Sequence, residues 1–464
     1  MIITRDVINK NINYYDYGSN EYYSYKQLSV RIDFFKNLLL DFGCKKGETV
    51  LIGYGAGIDQ TALLFAICEL GMVIIINDYK IIDDDLGFID PKSKMLMPIN
   101  YFFGYDTDED IKVKYFKKIC DTYITSNEVE KYNNYSKNSL VLSNPDDVIL
   151  KCTSSGTTGT PKKVEHTHRF LYNISKRNAL FFSGKVASIW NLNHGSSVAT
   201  YFLPNLMSKD VKEVISANPL VLKEPNLCYS LFGDTNHMMI PYTRDLILNI
   251  ALYKMPNLTY YTLSSIPYEI KGAFQNNRCK DVISFFGCNE TSGPIFINKV
   301  SYTNFDTDAY HSFDDYYKIE NLNPLTVKLS EYNININTND NFEKLTQTSF
   351  KFKGRSDLLR INGRPIPDKY NLLDLAFEYA LVYDILRNKI YLAIWQQNRM
   401  IADEMEIKNF VDDLNDILIK KSYGDHYISK FDILNKADFI AGVKLDQEFL
   451  RFYFREKVKE YAKF

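Results

Sequence analysis

The densest group of chemistry-bearing side chains lies in the ten residues Thr153-Ser154-Ser155-Gly156-Thr157-Thr158-Gly159-Thr160-Pro161-Lys162, which crowd hydroxyls and glycines together and end on a lysine. Gly156 and Gly159 permit φ > 0 and a close approach of backbone N–H groups to an anion. Ser154, Ser155, Thr157 and Thr158 add hydroxyl donors, and Lys162 adds a point charge. This set suits phosphate, and a nucleotide polyphosphate in particular. The same composition is also that of an ordinary polar connection. It is not a Walker A loop, because no Gly-Lys-Ser/Thr follows the first glycine at the required offset. The run Asp147–Cys152 predicts a strand before the loop, and Phe170–Leu180 predicts a helix after it.

Other segments present single charged groups at the ends of regular elements. Val282-Ile283-Ser284-Phe285 predicts a strand that runs into Phe286-Gly287-Cys288-Asn289-Glu290, a glycine turn offering a carboxylate. Thr338-Asn339-Asp340 is followed, fourteen positions after Asp340, by Gly354-Arg355-Ser356-Asp357. An ionised aspartate only accepts hydrogen bonds and can take both hydroxyls of a diol. Taken singly, each acid is equally an ordinary turn or strand-end residue. Near the C-terminus, Ala441-Gly442-Val443-Lys444-Leu445-Asp446-Gln447-Glu448-Phe449-Leu450-Arg451 places a lysine where a helix start would also place one.

Taken together and in this order, the four segments resemble the signature motifs of the adenylate-forming superfamily of acyl- and aryl-CoA synthetases, luciferases and peptide-synthetase adenylation domains. The resemblance implies that residues 154–162 form the phosphate loop, with Thr158 among its catalytic donors. It implies that Phe286 flanks the adenine, that Gly287 and Asn289 belong to the same nucleotide-binding turn, and that Glu290 ligates Mg²⁺. It further implies that Asp340 holds the ribose hydroxyls and that Arg355 contacts ribose or phosphate. Asp357 becomes the hinge of a small C-terminal domain. Lys444 becomes the lysine that bridges carboxylate and phosphate during adenylation. Three positions depart from the pattern: Asn289 stands where a threonine is usual, Lys163 falls outside the signature, and Val443 separates Gly442 from Lys444. An amide still donates, so Asn289 keeps the capacity for a phosphate contact.

The acyl side is read from Asn191-Leu192-Asn193-His194-Gly195-Ser196-Ser197. It is similar to the His-containing element of acyl- and aryl-acid ligases, with His194 and Gly195 in the pocket and Ser264 and Ser265 lining the adenine and acyl side. No Asp occurs between Trp190 and Lys209. An α-ammonium bound there would be a buried cation without a partner, which favours an acid lacking an α-amine unless Asp234 serves from another loop. The implied cofactors are ATP and Mg²⁺, with CoA or a carrier-protein phosphopantetheine as thiol acceptor, and the partners are a small carboxylic acid and an acyl carrier protein.

A different chemistry is suggested by Val50-Leu51-Ile52-Gly53-Tyr54-Gly55-Ala56-Gly57 with Ile74-Ile75-Ile76-Asn77-Asp78. A strand entering alternating glycines and a second strand ending on an acid mimic a dinucleotide fingerprint, although the third glycine comes one position early. A dinucleotide-binding oxidoreductase is therefore an alternative, as is a nucleotide-binding descendant that has lost catalysis.

The elements that must position these residues follow from periodicity. Tyr25–Phe42 predicts a helix, Thr49–Ile52 a strand, Thr61–Gly71 a helix and Met72–Ile76 a buried strand, a βα alternation that continues to about Gly354. After Asp357 the pattern predicts strands over Ile390–Trp395 and Tyr427–Leu434, a helix over Glu404–Lys421 and a final charged helix. The expected fold class is α/β: a large N-terminal domain of layered α/β subdomains (residues 1–356) and a small mobile α+β lid (residues 357–464). At 464 residues with 45% hydrophobic content, the chain can bury two cores. A net charge of −2 without runs of like charge argues against a nucleic-acid partner. Seven cysteines without a Cys-x-x-Cys pair fit reduced thiols. The longest apolar stretch, Ala62–Ile76, is interrupted by Glu69 and falls short of the roughly 20 residues a membrane span needs. With no apolar region near Met1, a cytoplasmic location is expected. His166 and His168 lack a clear third ligand and are read as part of the exit from the phosphate loop rather than as a metal site.

Overall fold

The structure is a computed structural model that describes residues 1–53, 55–75, 99–104, 120–154, 162–188, 197–217, 221, 225–240, 254–263, 266, 274, 278–305, 309–329, 334–338 and 340–355. Beyond these it describes the strands within 360–365, 377–396, 428–433 and 440–445, together with Asp412. The chain divides into two compact units. The first takes Met1–Gly354 apart from short loop segments, and the second is built on Arg355–Phe464.

The first unit holds two large sheets flanked by helices. Its six-stranded sheet runs Cys120–Thr125, Ile99–Gly104, Thr49–Ile52, Val73–Ile75, Val148–Ser154 and Lys162–Thr167. All neighbours are parallel except the last pair, which is antiparallel. The second sheet has eleven strands and contains Gly184–Ser188, Thr259–Thr262, Asp281–Phe286 and Phe296–Ser301; at one edge it carries the hairpin Asp340–Lys344 and Ser349–Arg355. The four-residue strand Thr49–Ile52 falls where periodicity places it. The helix expected over Tyr25–Phe42 spans Tyr25–Asp41. Its start is fixed by a capping box, in which the Ser24 hydroxyl accepts from the Gln27 amide while the Gln27 side chain accepts from the Ser24 amide. Leu28, Ile32, Phe35 and Leu39 turn its apolar stripe into the core.

The glycine-rich turn after Thr49–Ile52 leads into the helix Ile58–Glu69 and the parallel strand Val73–Ile75, a genuine β-α-β unit. Its helix N-terminus is already occupied. The Ile58 amide donates to Asp16 Oδ2 at 2.9 Å, and the Gly18 amide donates to the other oxygen at 2.8 Å. A carboxylate therefore sits where a dinucleotide would place its pyrophosphate. Gly53 has a packing reason of its own, since a Cβ there would meet the Phe102 ring at 2.6 Å and the Phe103 carbonyl at 2.7 Å. The dinucleotide reading fails on both counts.

Glu69, the acid that interrupts the apolar stretch, is buried rather than solvated. Its carboxylate accepts from Arg5 Nη2 and from Lys36 Nζ, each at 2.8 Å, and Arg5 also reaches Asp33. These partners hold its carboxyl below the ordinary glutamate range despite the opposing cost of burial. The network pins the N-terminal segment and the helix Tyr25–Asp41 to the end of Ile58–Glu69. No described helix is long and apolar enough to cross a membrane.

The second unit contains a three-stranded sheet, in which Phe377–Asp384 pairs antiparallel with Lys389–Gln396, which pairs parallel with Ile428–Ile433. Two strands predicted from periodicity are thus present. The two predicted helices lie outside the described residues apart from Asp412.

Candidate functional site

The strands that bracket the Ser/Thr/Gly loop pair in register from Val148 opposite Thr167 to Ser154 opposite Lys162, so the loop leaves and re-enters the sheet at adjacent positions. Ser154 is the last residue of one strand and Lys162 the first of the next. Ser155, Gly156, Thr157, Thr158 and Gly159 lie outside the described residues, as do His194, Gly195, Ser264, Ser265 and Asp357. Arg355 ends the strand Ser349–Arg355, and Lys444 opens the short strand Lys444–Leu445, whose partner is Ile440–Ala441.

The strand leaving the loop ends at Thr167, whose hydroxyl accepts from the Phe170 amide and caps the helix His168–Asn178. Two residues of this exit are buried histidines. His168 Nδ1 accepts from the Ile3 amide at 3.0 Å, which ties the helix start to the N-terminal segment. His166 stacks on Phe170 with ring centroids 4.9 Å apart, and its Nε2 lies 2.7 Å from both the Asn289 carbonyl oxygen and the Ser292 hydroxyl. A carbonyl only accepts, so Nε2 carries the proton. Burial pushes both imidazoles down to about 4, leaving them neutral at pH 7.

Asn289 belongs to the carboxylate turn. The strand Asp281–Phe286 delivers Phe286, Gly287 follows, and the chain then folds tightly on itself. The Cys288 amide donates to Thr291 Oγ1 at 3.0 Å, and the Thr291 hydroxyl lies 2.9 Å from the Gly293 carbonyl. Ser292 adopts φ +49, a left-handed conformation uncommon for a residue with a side chain, and its amide donates to the Cys288 carbonyl at 3.0 Å. Gly287 has no space for a Cβ, which would land 2.4 Å from the Gly293 carbonyl oxygen. Glu290 sits half-buried at the head of this turn. Burial and the neighbouring Glu290 charge push the Cys288 thiol up to about 12, so it remains a thiol.

Four groups hold the turn from outside. The Tyr317 hydroxyl donates to the Thr291 carbonyl at 2.7 Å, Arg177 Nη1 to the Pro294 carbonyl at 2.9 Å, and the Thr200 hydroxyl to the Ser292 carbonyl at 3.3 Å. His166 is the fourth. Thr200 comes from the π-helical turn Val198–Phe202, which directly follows the predicted acyl element.

Asp340 is buried at the start of its strand, and its amide donates to Thr338 Oγ1 at 3.3 Å. Two residues on, and so on the same face, Phe342 packs edge-on against Phe286 with centroids 4.8 Å apart. Phe286 also neighbours Phe296, Tyr310 and Phe352. Three of the predicted segments are therefore tied together: the exit of the hydroxyl-rich loop to the carboxylate turn through His166, and the Asp340 strand to the root of that turn through Phe342. Neither tether was singled out by sequence. Asp234, the alternative partner for an α-ammonium, is exposed and paired with Lys185 at 2.8 Å.

Among the described residues no three His, Cys, Asp or Glu side chains gather as a metal cage. One half-buried carboxylate in a rigid turn suits Mg²⁺, which binds through one or two carboxylates and substrate phosphates.

Comparison with known proteins gives a consistent outcome. Residues 7–221 match the AMP-binding enzyme family. YdaB of Bacillus subtilis (strain 168), provisionally assigned as an acyl-CoA ligase, is 28% identical over 167 residues, covering 33% of this chain and 32% of YdaB. The match thus spans about a third of the length of that curated relative. Among solved structures, the anthranilate CoA ligase AuaEII in complex with anthranoyl-AMP superposes with a TM-score of 0.69 at 14% identity, covering 100% of this chain and 98% of that one. The McyG A-PCP structure complexed with phenylalanyl-adenylate gives a TM-score of 0.70 at 15% identity, covering 99% and 96%. At such identities the likeness shows a shared fold.

Proposed function

We propose that this chain is an adenylate-forming enzyme that activates a carboxylic acid with ATP and passes the acyl group to a thiol, a reading supported by its likeness to the AMP-binding family over residues 7–221 and to acyl-CoA ligases. The observation that carries this reading is the His166 bridge, which locks the turn bearing Glu290 to the strand leaving the hydroxyl-rich loop. In the proposed reaction a substrate carboxylate oxygen attacks the α-phosphorus of ATP, the bond to the bridging oxygen breaks, and pyrophosphate departs with its electron pair. The protein contributes position and charge rather than covalent chemistry. Ser154, Ser155, Thr157, Thr158 and the amides of Gly156 and Gly159 hold the phosphates with Lys162, while Phe286, Asp340 and Arg355 hold adenine and ribose. Glu290 holds Mg²⁺, which when bound neutralises phosphate charge. Lys444 stabilises the charge developing between carboxylate and phosphate. After the C-terminal unit turns about Asp357, a thiolate of CoA or phosphopantetheine attacks the acyl carbonyl, forming a thioester while the bond to the phosphate oxygen breaks and AMP departs with its electron pair. The commitment of Asp234 to Lys185 supports an acid without an α-amine.

The test is ATP–pyrophosphate exchange across a panel of carboxylic acids. Exchange that depends on one class of acid is expected. Binding of ATP without exchange on any acid would assign the chain to a nucleotide-binding descendant, and absence of ATP binding would end the proposal.

A further inference from the structure

We infer that His166 is a positioning residue that fixes the turn bearing Glu290 against the strand Lys162–Thr167, and so governs the Mg²⁺-dependent part of nucleotide binding. The inference rests on the function proposed above.

Of the four groups that hold the carboxylate turn, Thr200, Tyr317 and Arg177 reach it from other parts of the fold. His166 alone among them stands on the strand that continues from the loop, four residues beyond Lys162, with no intervening turn to absorb a displacement. Its single Nε2 proton is shared by two acceptors on the turn, the Asn289 carbonyl and Ser292 Oγ, both at 2.7 Å. The Ser292 hydroxyl points its own proton at the same carbonyl at 3.4 Å, which closes a small triangle of bonds. Asn289 is the residue immediately before Glu290, so the peptide plane that joins them is the one His166 fixes. The left-handed Ser292 supplies a second reason for the bridge. A conformation that a side-chain-bearing residue seldom adopts persists where surrounding bonds over-determine it. Phe170 stacks on one face of the imidazole and braces the plane of the ring. A change that removes the Nε2 donor therefore frees the turn to relax away from the strand and carries Glu290 with it. The burial of the ring and its neutral state at pH 7 agree with a donor of fixed geometry rather than a proton-transfer group.

His166→Leu keeps the bulk and removes the donor, whereas His166→Gln restores an N–H near the position of Nε2. Binding of ATP is measured by calorimetry on the full chain, once with excess Mg²⁺ and once with EDTA. The parent is expected to bind ATP more tightly with Mg²⁺. His166→Leu should lose about tenfold in the Mg²⁺ arm, the order of one buried hydrogen bond, with less than about a twofold change in the EDTA arm. His166→Gln should recover most of that loss. If Leu and Gln behave alike, or both arms weaken together, His166 is a packing residue and the inference is overturned. If His166→Leu fails to fold, His166→Asn, whose amide is one bond too short to reach the Asn289 carbonyl, makes the same comparison against His166→Gln: the same Mg²⁺-selective loss in His166→Asn is expected, and its absence overturns the inference. A parent with no affinity for ATP in either arm overturns the proposed function and this inference with it. A parent that binds normally beside an unchanged His166→Leu overturns this inference alone.

Discussion

The two buried histidines make a quantitative prediction about acid stability. His166 and His168 are 3% and 0% exposed, and burial lowers each to about 4, whereas an unfolded chain titrates its histidines near 6.5. The folded state therefore binds fewer protons than the unfolded one across this window. Stability is complete above about pH 6.5, falls as the unfolded histidines take up protons, and levels off below about pH 4. At pH 5 an unfolded histidine is almost fully protonated and a folded one almost bare. The linkage integral gives about 2 kcal/mol for each group and about 4 kcal/mol for the pair. That is comparable with a large share of a typical domain's net stability. Urea unfolding at a series of pH values between 8 and 5 measures the slope. The contribution of one histidine is isolated by His168→Asn, which keeps an acceptor for the Ile3 amide and removes the titration. The variant should show a shallower loss, by close to one proton, than the parent. Parallel slopes, or an imidazole NMR titration with a midpoint near 6.5 in the folded protein, would refute the reasoning.

Other perturbations bear on separate parts of the molecule. Glu69→Ala leaves the buried Lys36 without its carboxylate and Arg5 with Asp33 alone, and should cost about 3–5 kcal/mol in urea unfolding; a loss below about 1 kcal/mol would mean that Lys36 finds water instead. Gly287→Ala forces a Cβ to 2.4 Å from a backbone oxygen, so the turn must shift. Pyrophosphate exchange should fall by more than tenfold while thermal stability drops by about 1–3 kcal/mol, and exchange that survives intact would free Glu290 from dependence on this turn. Asp340→Ala should weaken ATP binding, and calorimetry returning an equal affinity would remove it from the ribose site. Lys444→Ala should slow exchange by about a hundredfold with ATP binding retained, and an unchanged rate would reassign the lysine.

What could be read in the sequence, and what could not, divides along a physical line. The strands Thr49–Ile52 and Asp281–Phe286 and the helix Tyr25–Asp41 were legible because their information is local: alternation or a 3.6-residue stripe, bounded by a capping serine or a glycine turn. The helix read as starting at Thr61 begins at Ile58 instead. Its N-terminus is satisfied not by its own sequence but by Asp16, forty-two residues earlier. The same contact is what separates this glycine-rich turn from a dinucleotide site, and no spacing rule within the turn could reveal it. Glu69 shows the converse error. A charge inside an apolar stretch reads as an interruption, yet its partners Arg5 and Lys36 lie far back in the chain and turn it into part of the core.

The candidate site repeats the pattern at the level of function. Residue types at Phe286, Asn289, Glu290 and Asp340 were legible as motifs because each lies within a short run of sequence whose residue types and spacing can be compared directly. The bonds that give those residues a common geometry were not. His166 contacts a carbonyl 123 positions away, and the acceptor is backbone, so the identity of Asn289 carries no trace of its partner. Phe342 meets Phe286 although three strands of the sheet order separate theirs. A buried histidine without a carboxylate or a second ligand near it is usually dismissed as packing. The distinguishing signal is its place in the chain, on the strand that issues directly from the loop of hydroxyls and glycines. A donor at that position can act on a distant turn without touching substrate, because the strand transmits position rather than charge.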